Sequence, residues 1–302
     1  MNTYSLPPIF GVHDVAAPAS SWAMAAWDVD QLRSVNDGQS VLTAVLDTGG
    51  DINHPELKGR IVASKDFTGS RVGFADSHGH GTHCLGTVGG LSRSIGVSMA
   101  PLLNGKVLGD SGSGGDAGIA AGVRWAVGQG AEIISMSLGS SSPSPTIREA
   151  CAEAAAKGVW VIAAAGNEGN AGIGYPGGYP ECLSVAAIDR NFRIANFSSR
   201  GDKLDASGPG VDIVSAKPGG GYQSMSGTSM ATPFIAGLLA CFRGALKAKN
   251  RPIFDVGQLR AFLGTTAVDL GAKGDDRDFG PGWAAPLLLL VSTFTDPKPI
   301  GV

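Results

Sequence analysis

The run VLTAVLD, residues 41 to 47, is apolar at nearly every position and ends on a carboxylate. Successive side chains of a strand point to opposite faces, so a run with no polar face suits a strand covered on both sides, as in a parallel sheet. Comparable runs at Lys106 to Leu108, Glu132 to Ser137, Val159 to Ala164, Leu183 to Ala187 and Asp212 to Ser215 predict further strands. Helical spacing marks Ala117 to Val127, Pro145 to Lys157 with its proline in the permitted first turn, and Ser229 to Ala248. Strands alternating with helices of this length predict an α/β fold in three layers: a doubly wound, mostly parallel sheet with helices on both faces. In such sheets ligands bind beyond the carboxyl ends of the strands, which makes Asp47 a suspect. No internal repeat divides the chain. The expected organisation is an N-terminal extension over residues 1–20, one globular unit over 21–296 and a tail over 297–302.

With 302 residues, 43% of them hydrophobic, the chain can bury a large core. Its 23 basic and 26 acidic side chains nearly cancel, so no broad field draws it to nucleic acid or to an anionic membrane, and neither is expected as a partner. The aliphatic run Leu287 to Val291 is too short to cross a bilayer, and no other segment is expected to approach the length required. Cys84, Cys151, Cys182 and Cys241 show no CxxC spacing and read as free buried thiols. The opening MNTYSLPPIFGVHD lacks the features of a signal peptide. Together these favour the cytoplasm; the alternative is a secreted product whose leader and propeptide have been removed. The sequence leaves oligomeric state open.

HGHGTHC, residues 78 to 84, gathers three of the five histidines beside a cysteine. One reading is a metal-dependent hydrolase built on His78, His80, His83 and Cys84. The other makes one histidine a proton carrier, which needs partners elsewhere. Asp47 at a strand end, His80 at the Gly-rich start of a helix and Ser229 in SMSGTSMATP supply a carboxylate, a base and a nucleophile. A serine hydroxyl needs an imidazole to accept its proton, and the imidazole needs a carboxylate to fix its tautomer and stabilise its cation. A non-catalytic binder is the third reading. The DTG tripeptide at 47 to 49 has no second copy to pair with, so an aspartic peptidase is set aside.

VLDTGGDINHPEL, HGHGTHCLGT, AAAGNEGN and SGTSMATP, in this order, resemble the signature segments of the subtilases, the subtilisin-like serine peptidases. The resemblance spans roughly residues 40 to 290 and implies a serine endopeptidase acting on proteins or peptides. It makes Asp47, His80 and Ser229 a catalytic triad, and the side chain of Asn167 with the backbone N–H of Ser229 an oxyanion hole. His78 and His83 then take supporting roles. Ser137, Leu138, Gly139 and Ser140 resemble one edge of the family's substrate cleft, and Gly109, Asp110, Ser111 and Gly112 lie in the segment resembling the other. A peptide held between them by its backbone implies broad specificity. The small residues Ala165, Gly166 and Gly177 leave room for a large apolar side chain before the scissile bond.

Departures from the family pattern carry expectations of their own. No cofactor is required for the chemistry, but the family often carries a structural calcium ion, for which Glu56 matches a ligand. Here the accompanying loop reads LSRSIGV, with Arg93 where an oxygen donor is usual. A guanidinium cannot ligate calcium, so Arg93 is expected to replace the ion and pair with Glu56. Only 46 residues precede Asp47, which is expected to leave no room for a long folding propeptide. Leu6 to Val12, LPPIFGV, instead resembles the short extension of intracellular subtilisins that lies across the active site. A proline near the scissile position would resist cleavage there, so this segment is expected to be autoinhibitory.

Overall fold

The structure, a computed structural model, describes residues 3–18 and 21–284. The expected tail, 297–302, and the run Leu287 to Val291 lie outside the described residues. The chain opens with two strands, β1 (Thr3–Ser5) and β2 (Phe10–Val15), and two short helices, α1 (Trp22–Ala26) and α2 (Val29–Val35). It continues through β3 (Thr43–Asp47), β4 (Ile61–Asp66), α3 (His80–Gly89), β5 (Leu102–Lys106), β6 (Ser113–Gly115), α4 (Asp116–Gly128) and β7 (Ile133–Met136). Then come α5 (Pro145–Ala156), β8 (Trp160–Ala164), β9 (Cys182–Ile188), β10 (Ala206–Pro209), β11 (Ile213–Ala216), β12 (Tyr222–Ser226), α6 (Thr228–Ala248) and α7 (Val256–Thr266).

Among the described residues seven strands form one sheet in the order β10-β9-β8-β7-β3-β5-β4, every neighbouring pair parallel. β3, β5, β7, β8 and β9 are buried along their whole length, which is why their sequences run apolar without alternation. Helices α3 and α6 cover one face around a core that includes Val45, Leu85, Ile162 and Phe234. Helices α4 and α5 cover the other, around Leu46, Val123, Ile134 and Cys151. The expected three-layer architecture is therefore present. From β3 the sheet extends in two directions, toward β5 and β4 and toward β7 to β10, so the crevice at its carboxyl end opens beside Asp47.

Two expected strands are corrected. The segment expected at Lys106 to Leu108 lies earlier, over Leu102–Lys106. Asn104 and Gly105 interrupt its apolar run. The Asn104 amide is satisfied by Phe74 O at 3.2 Å, and a Cβ on Gly105 would stand 2.5 Å from Leu46 Cδ2, so both residues answer to tertiary neighbours. The strand expected at Asp212 to Ser215 is β11, which lies outside the parallel sheet and pairs antiparallel with β12, itself paired with β2.

α6 corrects the expectation about apolar length. It is long and apolar enough to cross a bilayer by length and composition, but its apolar stretch is enclosed by the protein. Thr228 to Leu246 are buried all round because the sheet, α3 and α2 pack against it.

Candidate active site

Asp47 is the last residue of β3 and His80 the first of α3, so a strand end and a helix start converge. His80 Nδ1 lies 2.7 Å from Asp47 Oδ1, with the imidazole fully buried and the carboxylate 1% exposed. Burial opposes protonation of the ring, but the Asp47 charge, followed by the Cys84 sulfur, outweighs it and holds His80 well above its ordinary value. Nε2, the other ring nitrogen, is buried and without a hydrogen-bond partner among the described residues. A base oriented through one nitrogen thus keeps the other free.

Ser229 is the second residue of α6, where backbone N–H groups lack intrahelical acceptors and the helix dipole favours negative charge. Its hydroxyl donates to Ser137 O at 3.4 Å, and its own carbonyl accepts from Ser137 Oγ at 2.9 Å. Cys84 Sγ bridges the two halves, 3.8 Å from His80 Nδ1 and 3.6 Å from Ser229 O. Asn167 Oδ1 accepts from Thr228 N at 2.9 Å and Thr228 Oγ1 at 2.8 Å, which leaves Nδ2 facing the cleft. A Cβ built on Gly227 would stand 3.0 Å from that Nδ2 and 3.6 Å from Ser229 N. Glycine there keeps open the space on which both donors converge.

The cleft edges hold the chain's own N-terminus. β1 pairs antiparallel with β6, and on its other side Ser5 exchanges both backbone hydrogen bonds with Gly139, at 3.0 and 2.9 Å. Leu6 N donates to Gly112 O at 3.0 Å, and Pro8 O accepts from Asn167 Nδ2 at 2.6 Å. Tyr4 is fully buried, its hydroxyl 3.2 Å from Ser142 O and 3.4 Å from Tyr179 Oη. Beyond the crossing, Phe10 stacks on Phe197 at 4.8 Å between ring centroids, and β2 runs antiparallel along β12 from Phe10 opposite Ser226 to Val15 opposite Tyr222.

The remaining candidates separate. Leu138 is buried in the core and Ser140 pairs with Tyr175, while Ser111 bonds Ser113 at 3.0 Å and Gly109 N closes onto Ser113 O at 2.8 Å. Asp110 anchors the loop: Ser77, Lys106 and Ser70 donate to its carboxylate and pull its pKa down to about 2. Ala165 is buried and its carbonyl is taken by Gly174 N. Gly166, at φ +112°, would press a Cβ to 2.4 Å from Glu168 Oε2, so only glycine fits. His83 faces away from His80, with Nε2 on Ile213 O at 2.9 Å, and burial pushes its pKa down to about 3. His78 stays at the rim, lowered by partial burial and by His80.

The metal reading thus loses His83. The close group is Asp47, His80 and Cys84, with ligand atoms within 4.8 Å of one another, and in it His80 Nδ1 is already committed to Asp47. Burial also keeps the Cys84 thiol protonated by raising its pKa.

A statistical model of the subtilase family matches residues 38–282. The chain belongs to the subtilase family. Alkaline elastase YaB of Bacillus sp. (strain YaB) is 44% identical over 292 residues, 93% of this chain and 74% of that protein. Subtilisin Savinase of Lederbergia lenta is 44% identical over 239 residues, 78% of this chain and 86% of that protein. An intracellular serine protease of Paenibacillus polymyxa is 41% identical over 247 residues, 78% of this chain and 76% of that protein. The subtilase described here is a serine endopeptidase of the subtilisin type, acting on proteins or peptides.

At the loop resembling the family's calcium loop, Glu56 and the nearby carbonyls are engaged by donors of the protein itself. Glu56 Oε1 accepts from Tyr222 Oη at 2.7 Å and Oε2 from Ser92 N at 2.6 Å, so both oxygens already hold donors. Arg33 takes Gly96 O at 3.1 Å, and Arg60 takes Gly89 O and Ala100 O. The expected pair between Arg93 and Glu56 does not form. Arg93 reaches outward to Asp30 at 2.8 Å, both side chains more than two-thirds exposed, because a tyrosine and a backbone N–H occupy the carboxylate first.

Sequence reasoning missed Thr48, Asp76, Lys106 and Tyr179. Lys106 is completely buried, donating to Thr48 O at 2.5 Å and Asp110 at 3.0 Å. A lysine closing the short strand LLNGK was a visible signal; the others are ordinary polar residues until folding brings their partners.

Proposed function

We propose that this subtilase hydrolyses peptide bonds through an acyl-enzyme, with Asp47, His80 and Ser229 as its triad. Ser229 Oγ attacks the scissile carbonyl carbon while its proton passes to His80 Nε2, and Asp47 stabilises the imidazolium through Nδ1. The carbonyl oxygen becomes an oxyanion between Asn167 Nδ2 and Ser229 N. Collapse expels the amine, which takes the proton from His80, and a water deprotonated by the same nitrogen releases the acid. The observation that carries this reading is that Asn167 Nδ2 and Ser229 N both lie beside Gly227, while Cys84 Sγ touches both Ser229 O and the imidazole fixed on Asp47.

Substrates follow the path of the N-terminal strap, between Gly112 to Gly115 and Gly139, with backbone ladders on both sides. Specificity is broad, with a large apolar residue before the scissile bond and an aromatic one in the pocket that Tyr4 fills. The strap itself is autoinhibitory: its Pro8 carbonyl occupies Asn167, and the fixed φ of Pro7 and Pro8 keeps the segment from lying as a cleavable strand. No metal is required. Four free, buried thiols suit a reducing compartment such as the cytoplasm.

A fluorophosphonate probe followed by peptide mapping tests the nucleophile. The expected adduct is on Ser229, absent in Ser229→Ala and after substitution of His80. Folded protein that stays unlabelled and inactive on casein, even without its strap, would defeat the proposal.

A further inference from the structure

Asp76 lies in the loop before α3, is 7% exposed, and accepts five hydrogen bonds. Its Oδ1 takes Thr48 Oγ1 at 2.9 Å, His78 N at 3.0 Å and Gly79 N at 2.8 Å. Its Oδ2 takes Thr82 N at 2.8 Å and Thr82 Oγ1 at 2.7 Å. A buried carboxylate is tolerated only when its lone pairs are met, and here they are met by groups from two separate elements. The Gly79 and Thr82 bonds fix the first turn of α3, whose own N-cap, Gly79, has no side chain to do so. The Thr48 bond reaches the end of β3.

Thr48 is the hinge of this arrangement. Its hydroxyl donates to Asp76 and accepts from Gly81 N at 2.9 Å, while its backbone N–H donates to Asp47 Oδ1 at 2.7 Å. One residue therefore holds the carboxylate, the backbone beside His80 and the Asp76 anchor. The approach is so close that a Cβ on Gly81 would stand 2.1 Å from Gly49 O. The other side-chain ties between the first turn of α3 and the segment at and after the end of β3 are the His80–Asp47 contact itself and the hydrogen bond from Asp51 N to Thr82 Oγ1 at 3.1 Å.

Resting on the hydrolytic reading above, we propose that Asp76 is a positioning residue that sets, through Thr48, where His80 stands relative to Asp47 and the attacking hydroxyl. It does not touch substrate. A displacement of about 1 Å in such a group costs rate up to roughly 100-fold while leaving the peptide-binding edges intact. The effect therefore falls on kcat and not on KM.

The test is steady-state hydrolysis of a peptide p-nitroanilide by the full chain and by Asp76→Asn, Thr48→Val, Thr48→Ser and the Asp76→Asn/Thr48→Val double variant, with thermal unfolding as a folding control. Asp76→Asn and Thr48→Val are each expected to lower kcat about 10- to 100-fold with KM within about 2-fold. Thr48→Ser, which returns the hydroxyl, should recover most of what Thr48→Val loses. The double variant should be no slower than about 3-fold below the worse single one, because both cut the same link. Unchanged kcat in folded Asp76→Asn, a loss carried by KM, or losses that multiply would overturn the proposal. If Asp76→Asn does not fold, equal kcat in Thr48→Val and Thr48→Ser overturns it. The chain without substitutions separates the two readings: inactivity there both with residues 1–12 and after their deletion sinks the hydrolytic mechanism, whereas activity there that Asp76→Asn retains sinks only the positioning role.

Discussion

The two halves of the cleft differ in how far the chain satisfies them by itself. On the Asp47–His80 side, Thr48 N, His80 Nδ1 and the five donors to Asp76 fix the strand end against the helix start by short intramolecular bonds. On the Ser229 side, the hydroxyl rests on Ser137 O at 3.4 Å, and Asn167 Nδ2 finds its acceptor only in Pro8 of the strap. On the proposed mechanism the base is organised in advance, while the Asn167 donor is held by the strap and given up to a peptide carbonyl. On that mechanism the division suits catalysis, since groups aimed at a charge that exists only in the transition state must be released to a substrate, and Pro8 holds Asn167 Nδ2 until the strap is displaced.

Breaking the unsatisfied half should have the larger effect. Asn167→Ala is expected to lower kcat by about 10² to 10³, the size measured for a side-chain donor of this kind in a subtilisin, with KM little changed. An equal rise in KM would mean that the amide serves ground-state binding. Removing the strap sharpens the same comparison from the other direction. Deletion of residues 1–12 should raise the rate of fluorophosphonate labelling by about 10-fold or more, because burial of an aromatic such as Tyr4 is worth about 3 to 5 kcal/mol to a docked segment. Labelling at the original rate would show that the strap is a surface arm.

The satisfied half should reveal itself through pH. His83 is buried and neutral, with a folded pKa near 3 against 6.5 when unfolded. Between those values the unfolded chain binds a proton that the folded chain refuses, so stability falls as pH drops below about 6.5 and is fully lost to this group only near 3. From pH 7 to 4.5 the loss is about 3 kcal/mol. His83→Gln, which can still donate to Ile213 O, should flatten that part of a urea-midpoint profile; an unchanged slope would place the acid sensitivity elsewhere. His80 acts in the opposite sense. On the proposed mechanism its raised pKa should put the acid limb of a kcat/KM–pH profile above 6.5, since the base must be unprotonated to accept the Ser229 proton. The smallest effect is expected at the Glu56 loop, where Arg93→Ala should change stability by less than about 0.5 kcal/mol and chelator should not alter the thermal midpoint. A calcium-dependent midpoint would show that the loop rearranges around an ion.

Much of this was legible before folding. The continuous apolar runs announced a sheet buried on both faces, Asp47, His80 and Ser229 stood out because each carries chemistry at a strand end or helix start, and Asn167 came from the family resemblance of AAAGNEGN. Asn104 and Gly105 shifted the expected strand off β5, since a polar residue or a glycine in a buried strand reads as a break until its tertiary neighbour is known. Arg93 misled for a related reason: charge complementarity suggested Glu56, but Tyr222, 166 residues away, was already there. Asp76 and Thr48 carried no local signal at all. Their hydrogen bonds span 28 residues between one another and acquire meaning only where two elements meet.

By itself the sequence determined the layered parallel sheet, the reactive residue types and their order, because periodicity and side-chain chemistry are local properties. Tertiary structure alone decided which donors reach which acceptors: His80 to Asp47, Asn167 to Pro8, and Arg93 to Asp30. A hydrogen bond depends on distances of a few tenths of an ångström, and those are set by how buried elements pack against one another.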